Sequence, residues 1–477
     1  MTRPSSSPDA PLSAGTAPIG APPIGTAPVV SSTHAWYAVL VLTLANVSGF
    51  VDRQILSLLT VPLKRDLQLS DTQVSLLIGL GFAVFYSVLG LPIGRWVDRG
   101  MRPRIVALGA ALWSVMTLLT GITRGYGQLF LARVGVGVGE ATLGPAAVSI
   151  IADQFPREKL GTAMSTYMVG TFAGSGVAYA LGAYIVGRVD QPGMITLPLV
   201  GEIFPWQTVF FWIGAPGLLI ALLALSIREP RREAAAAAAA AARLSSGTSA
   251  SSSASAVGFA DVWQYVRSNL RTIGALSLGF AFSASVNYGV GAWMAAFFVR
   301  THAWSIEQAG TLQGVLTFTI GPIGVMAGGR LNDWLARRGH VDAPLRVGLL
   351  GALGMAVFAG LYPAVPSAMV AAVLLVPVNL FAAMPWGAAN AAIAEAMPAR
   401  LRGQGSAIYQ LVVNLVSGVL GPTAVALLTD RVFGDESMLR WSLVIASIGG
   451  MMLASALMLY ARAAYVATVT AVRAEHA

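Results

Sequence analysis

Four charged residues stand where an apolar sequence should carry none. Asp52 and Arg53 are neighbours inside the apolar run from Trp36 to Thr60, and Arg133 and Glu140 lie in a second run from about Gln128 to Ala152. A charge at bilayer depth costs at least ~2.5–3.5 kcal/mol on insertion scales, so it persists only with a partner and a task. Two acids and two bases can hold one another as ion pairs, or they can handle a proton. Desolvation favours a neutral carboxyl and a neighbouring arginine favours a charged one. A conformation that parts the pair therefore takes up a proton, and one that joins it lets the proton go. Asp52 and Glu140 are the candidate proton carriers. Arg53 and Arg133 set their charge state and are candidate anion contacts.

No matching acid or base lies deep in the second half of the chain. Its apolar runs offer Asn287, Tyr288, Asn379, Asn390, Tyr409, Gln410 and Asn414, with Trp293 and Trp386 nearby. The candidate substrate cavity is thus asymmetric: Arg53, Glu140 and Tyr167 on one wall, and Asn287, Tyr288, Trp386, Asn390, Tyr409 and Asn414 on the other. A single amide in such a place is more often an interhelical hydrogen-bond partner than a ligand contact. Gly135-Val136-Gly137-Val138-Gly139 lies mid-membrane, follows no strand and lacks a Gly-Lys-Ser/Thr ending, so it reads as a packing surface and not a nucleotide loop. No metal site and no nucleophile triad is visible, and no cofactor is expected.

The elements that must position these groups follow from composition. Of 477 residues 56% are hydrophobic and 11% charged, and the mean hydropathy is +0.70. Soluble domains carry about 25% charged residues. Twelve apolar stretches, each long enough for a ~30 Å hydrocarbon core, begin near residues 36, 73, 104, 127, 160, 207, 271, 307, 346, 368, 403 and 440. They lack strand-like alternation, which predicts helices and excludes a barrel. Asp52 then lies ~24 Å along the first helix, and Arg133 and Glu140 ~8 and ~18 Å along the fourth from the opposite face. Asp52 and Arg133 share a depth, and Arg133 and Glu140, two turns apart, share a face. Arg53 points about 100° away from Asp52, which puts Glu140 within the compass of its long side chain.

A net charge of +9 suggests nucleic acid, but the distribution argues otherwise. With both termini cytoplasmic, 21 of the 30 Lys and Arg residues fall on inner loops or tails and seven on outer loops, Arg53 and Arg133 completing the count. That is the positive-inside pattern, so the charge reports topology. There is no cysteine, hence no thiol chemistry. Residues 1–33, rich in Pro, Ala, Ser and Gly, read as a disordered cytoplasmic tail. Residues 34–230 read as an N-terminal six-helix bundle, 231–257 as an Ala/Ser-rich tether, 258–465 as a C-terminal six-helix bundle and 466–477 as a second cytoplasmic tail.

The two bundles are copies. An offset of 235 aligns Ser70, Gln73, Gly79, Gly94, Arg95 and Asp98 with Ser305, Gln308, Gly314, Gly329, Arg330 and Asp333. An offset of 242 aligns Asp153, Gly161, Tyr167 and Gly176 with Glu395, Gly403, Tyr409 and Gly418. Both copies open with Ser-x-x-Gln, a capping-box pattern. Parallel six-helix repeats are an architecture of secondary transporters that open alternately to each side.

Gly94-Arg95-Trp96-Val97-Asp98-Arg99-Gly100, followed by Arg102 and Arg104, resembles the helix 2–3 loop signature of the major facilitator superfamily, with its second glycine one residue early. Arg133-x-x-x-Gly137-x-Gly139 resembles that superfamily's helix-4 motif, which is associated with proton coupling. Phe50-Val51-Asp52-Arg53-Gln54 and Leu131 through Ala141 are similar to the Spinster branch. The resemblance implies twelve transmembrane helices in two pseudo-symmetric bundles and a proton-coupled carrier of the inner membrane. It also implies a small amphipathic or anionic, lipid-like substrate such as a lysophospholipid or a sphingoid phosphate. It makes Gly94, Asp98, Arg99, Arg102, Arg104, Gly329 and Asp333 a cytoplasmic gate in which Asp98 holds neighbouring helix ends by charge-assisted bonds and Gly94 and Gly329 permit close packing. The alternatives are transport of small organic anions or drugs, and a non-transporting membrane sensor of the same fold. The Gly-Pro-rich helix-5 signature of drug/proton antiporters is not evident in Met164 to Tyr184. Partners are expected to be the bilayer, protons and the substrate. A monomer is expected, with no nucleic acid, no ATP drive and no enzymatic activity.

Overall fold

A computed structural model describes residues 32–189, 193–198, 200–229, 259–398 and 400–474. Twelve helical spans among them are long and apolar enough to cross a membrane. In the first half they are α1 (Ser32–Leu58), α2 (Asp71–Gly90), α3 (Arg102–Thr120), α4 (Tyr126–Gln154), α5 (Lys159–Val189) and α6 (Pro205–Leu225). In the second half they are α7 (Leu270–His302), α8 (Ile306–Arg337), α9 (Ala343–Leu361), α10 (Ala368–Ala396), α11 (Arg402–Phe433) and α12 (Glu436–Ala474). Each begins within a few residues of its expected start. A short antiparallel ribbon, Ile195–Leu197 with Gly201–Ile203, lies between α5 and α6.

The repeat is visible in local geometry. Ser70 and Ser305 both accept from the backbone of the glutamine three residues on, whose side chain bonds back, so α2 and α8 open on the same complete capping box. Gln68 and Ala303, the described non-glycine residues with left-handed backbone (φ 53° and 54°), are separated by the same offset of 235 and end the preceding helix in both copies. The helix of α4 is interrupted between Glu140 and Leu143, and that of α10 at Met384, the position an offset of 242 assigns.

Packing repeats as well. α1 lies on α5, α3 on α4 and α6, and α2 on α4; correspondingly α7 lies on α11, α9 on α10 and α12, and α8 on α10. The bundles meet along α2–α11 and α5–α8. One buried cluster, including Ile55, Leu77, Tyr179, Trp293, Phe297 and Val425, draws on both halves and joins them at the face away from the chain termini, the far face. Toward the near face, where the termini lie, each bundle has its own core. Leu42, Trp113 and Ile150 belong to the first, and Phe280, Met458 and Tyr465 to the second. The molecule is thus sealed at the far face and split at the near face.

Residues 1–31 and 230–258 hold nearly all of the expected first tail and tether and lie outside the described residues. The first helix takes in Ser32 and Thr33, which were expected in the tail. Most of the tail expected over 466–477 is helical, since α12 runs to Ala474. Val469 and Val472 are buried, and Arg473 reaches Glu395 at 3.0 Å, so the helix is held past the apolar run by packing and charge.

Candidate functional site

The four membrane-depth charges form two pairs. Asp52, on α1, accepts from Arg133 Nη1 of α4 at 3.1 Å through Oδ1, and from the Thr117 hydroxyl of α3 through Oδ2. The same Arg133 nitrogen lies 3.4 Å from the Asp52 carbonyl. Both oxygens of the acid are therefore satisfied, and the side chains are 2% and 1% exposed. Arg53, the next residue on α1, turns the other way and brings Nε and Nη2 to a single oxygen of Glu140, Oε2, at 2.6 and 2.5 Å. The other oxygen, Glu140 Oε1, is buried and has no hydrogen-bond partner.

Local sequence explains the geometry. Gly49 sits one turn before Arg53, and a Cβ there would stand 3.1 Å from Glu140 Oε2, so the glycine makes the berth for the carboxylate. Phe82 of α2 lies between the two arginines, its ring 4.5 Å from the Arg53 guanidinium and 5.9 Å from that of Arg133. Tyr86 at 4.9 Å and Phe50 at 5.2 Å complete an aromatic surround for Arg53, each such face contributing ~0.5–2 kcal/mol. Exposure separates the pairs. Arg53 is 22% exposed beside a 1% exposed Glu140, so a solute in the cleft meets the arginine and not the acid.

The second wall is partly as expected. Asn287, Tyr288, Trp386 and Asn390 are exposed, and Asn414 is half-buried. Trp386 meets Phe172 of the first bundle at 5.9 Å across the split, and Tyr288 is within electrostatic reach of Arg53. Asn390 is anchored by the Trp386 carbonyl at 3.0 Å and accepts from Gln410 at 3.1 Å, the interhelical role that an isolated amide most often has. Tyr167 and Tyr409 depart from expectation. These repeat-related rings are 4% and 5% exposed and pack inside the separate near-face cores, so they support the wall and do not line it.

In the gate motif, the Asp98 and Arg99 side chains lie outside those described. Arg102 is buried and binds the Ser149 carbonyl at 3.0 Å, Asp153 at 2.5 Å and Glu229 at 3.3 Å. It ties α3 to the ends of α4 and α6, all within the first bundle. Arg104 and Asp333 are exposed. The expectation of close packing at Gly94 and Gly329 is not met in this conformation, because a Cβ at either would meet nothing within 4 Å. The near-face helix ends are parted here, which leaves these glycines without an opposing surface.

Sequence reasoning missed the seal at the far face. Asp71, fully buried at the start of α2, takes both terminal nitrogens of Arg300 from α7 at 2.8 Å and Lys64 Nζ at 2.5 Å. Lys64 also binds Glu436 of α12 at 2.7 Å, and Asp430 at the end of α11 accepts from the backbone and hydroxyl of Thr72 at 2.6 Å. In the sequence Asp71 is merely a first-turn acid, and its partner Arg300 lies 229 residues away. Thr117, Phe82 and Gly49 were likewise unmarked; only their proximity to charges in the fold identifies them.

Two six-helix repeats, closed on one face and carrying ion pairs at membrane depth, define a membrane carrier. The chain belongs to the major facilitator superfamily, whose model matches residues 42–422, a family of transporters and not of enzymes. It is 30% identical over 409 residues to an MFS-type efflux pump of Mycolicibacterium smegmatis, covering 84% of this chain and 86% of that one. A probable L-galactonate transporter of Escherichia coli is 27% identical over 374 residues, covering 76% and 77%. Among solved structures, a bacterial homologue of the human lysosomal transporter Spinster, inward-facing and unoccupied, superposes with a TM-score of 0.74 at 25% identity over 92% of this chain and 98% of that one. The Spinster resemblance read from the first-half motifs therefore extends to the whole fold.

Proposed function

We propose that this transporter moves an anionic substrate together with a proton by alternating access, and that Arg53 and Glu140 form the coupling pair. The carrying observation is that Glu140 meets Arg53 through one oxygen while its other oxygen is buried without a partner. A substrate anion arriving from the cleft competes with Glu140 for Arg53. If the anion wins, Glu140 is left as a lone buried charge, which is strongly disfavoured unless it is protonated. Proton and anion thus favour one another's binding, and linkage makes the effect reciprocal. Asp52, satisfied on both oxygens, serves as the fixed partner of Arg133.

The charge bias supports a cytoplasmic near face with both termini inside, in keeping with an inner (plasma) membrane carrier. Phe50, Tyr86, Tyr288 and Trp386 supply an apolar surround beside a single cation, which suits an anionic headgroup carrying an apolar portion, in keeping with the Spinster likeness. Transport of a small organic acid is a second reading, favoured by the likeness to a sugar-acid transporter.

Proteoliposome uptake tests the coupling. A pH gradient, acid on the uptake side, should accelerate substrate entry in the native protein and have no effect in Glu140→Gln, which still binds substrate. Gradient-driven uptake in Glu140→Gln equal to that of the native protein would sink the assignment. Thermal stabilisation by lysophospholipids but not by hexonates would favour the amphipathic substrate, and the reverse result the organic acid.

A further inference from the structure

We propose that the near-face end of the C-terminal bundle holds a binding site for the phosphate of an anionic lipid, between the α8–α9 loop and α12. A cleft of about 650 Å³ opens there, lined among others by Gly339, His340, Asp342, Leu459 and Arg462. At its base the buried carboxylate of Asp342 accepts from Arg346 Nε at 2.9 Å through one oxygen and from Arg462 Nε at 2.5 Å through the other. Burial alone would push the Asp342 carboxyl up, but the hydrogen bonds and charges of Arg462 and Arg346 outweigh it and hold it below the usual carboxylate range. One acid thus orients two arginines by their inner nitrogens. Arg462 lines the cleft and Arg346 joins it across the shared carboxylate; with each Nε committed to Asp342, the terminal amino groups of these partly exposed side chains (37% for Arg346, 45% for Arg462) are left for a ligand. That fork is the geometry in which guanidinium takes a phosphate through two parallel bonds.

The counterpart in the other bundle shows why structural bracing is a poor account. At the same face Arg102 is one buried cation held by two acids, Asp153 and Glu229. In the second bundle the ratio is inverted: two half-exposed cations share one acid, and the cluster carries an excess positive charge. Its place selects a lipid over a soluble phosphate. Leu459 and Tyr460, on the same turns of α12 as Arg462, are 55% and 57% exposed on the outer surface of the bundle. Arg271 stacks on Tyr460 at 4.6 Å and Arg338 on Trp334 at 3.8 Å. An arginine–aromatic belt of this kind marks the headgroup level, where basic pockets between helices bind anionic lipids.

The test uses the full chain in neutral detergent, titrated with phosphatidylglycerol or with phosphatidylcholine of the same acyl chains, with bound lipid read by native mass spectrometry. Phosphatidylglycerol should bind in preference. Replacing both arginines (Arg346→Gln with Arg462→Gln) should weaken it by about fivefold per residue removed, roughly 25-fold in all. A lysine pair at these positions, which keeps the charge and loses the fork, should retain part of the affinity and guards against misfolding of the glutamine pair. Removing two charges elsewhere on that face, Arg228→Gln with Arg402→Gln, should leave binding unchanged. An equal loss in this control would overturn the site in favour of diffuse attraction. Displacement of the lipid by equimolar glycerol phosphate would overturn the lipid source and make the site one for a free phosphate. Undiminished phosphatidylglycerol binding in both the glutamine and the lysine pairs would overturn the proposal outright.

Discussion

At the scale of single residues, two ion pairs of like composition have different work to do, and burial tells them apart. Asp52 and Arg133 are both sealed, so removing one strands the other; breaking such a pair costs about 3–5 kcal/mol, whereas replacing both by apolar residues can be near neutral. Arg133→Ala should therefore lower the thermal midpoint sharply, and Asp52→Leu with Arg133→Met should recover most of the loss. Glu140→Gln should shift stability by no more than ~1 kcal/mol, because Arg53 keeps an amide acceptor, three aromatic faces and partial solvent. Melting curves of the purified variants check this. A Glu140→Gln loss as large as that of Arg133→Ala would mean that the two pairs are equally structural and would remove the ground for separating them.

At the scale of helices, close approach is set by glycine. Gly79 of α2 lies against the Gly418 backbone of α11, and Gly176 of α5 against Gly314 of α8; a Cβ at any of the four would collide with the opposite helix. Fifteen residues toward the near face from each lie Gly94, Gly403, Gly161 and Gly329, and a Cβ added at any of them would meet nothing within 4 Å. In antiparallel pairs that spacing, ~22 Å along each axis, puts Gly94 level with Gly403 and Gly161 level with Gly329. The expected outcome is that these pairs become the contacts when the near face closes. The chain has no cysteine, so Gly94→Cys with Gly403→Cys gives a clean cross-link test. A disulfide, which needs Cα atoms within ~7 Å, should form on adding substrate and block transport, and its absence under every transport condition would refute the scheme. The helix starts, the capping boxes and the repeat register were legible in the sequence, because apolar run length and Ser-x-x-Gln are local signals. The depth match of Asp52 with Arg133 was legible too, because rise per residue is fixed. The burial of Tyr167 and Tyr409 was not, since helix rotation depends on neighbours that one sequence leaves undetermined. Packing was legible at Gly137 and Gly139, which do meet backbone of neighbouring helices, and misread at Gly94 and Gly329, because which glycines pack depends on the conformation.

At the scale of the whole molecule, alternating access requires that the far-face seal be strong enough to hold and weak enough to part. Asp71 is where the seal concentrates: three charge-assisted bonds from Lys64 and Arg300 converge on one buried carboxylate, and Glu436 balances the second cation. Charge-assisted bonds contribute about 1.5–3 kcal/mol each, so losing even one net bond shifts a two-state equilibrium by roughly tenfold or more. Asp71→Asn removes the ionic component while keeping the capped start of α2, which rests on Ser70 and Gln73. It should shift the population toward the form open at the far face. Glu436→Gln, at a side chain 59% exposed, should shift it much less, as screened pairs do. A single cysteine at Thr423, whose hydroxyl lies 3.4 Å from that of Ser75 within the seal, reports the change. A membrane-impermeant thiol reagent applied to the far face should label it several-fold faster in Asp71→Asn than in the native background, and added salt should change the native rate little because the Asp71 cluster is buried. Equal labelling rates in the two backgrounds, with both proteins folded, would show that the apolar and glycine contacts close the far face unaided and that the buried charges play no part in the switch.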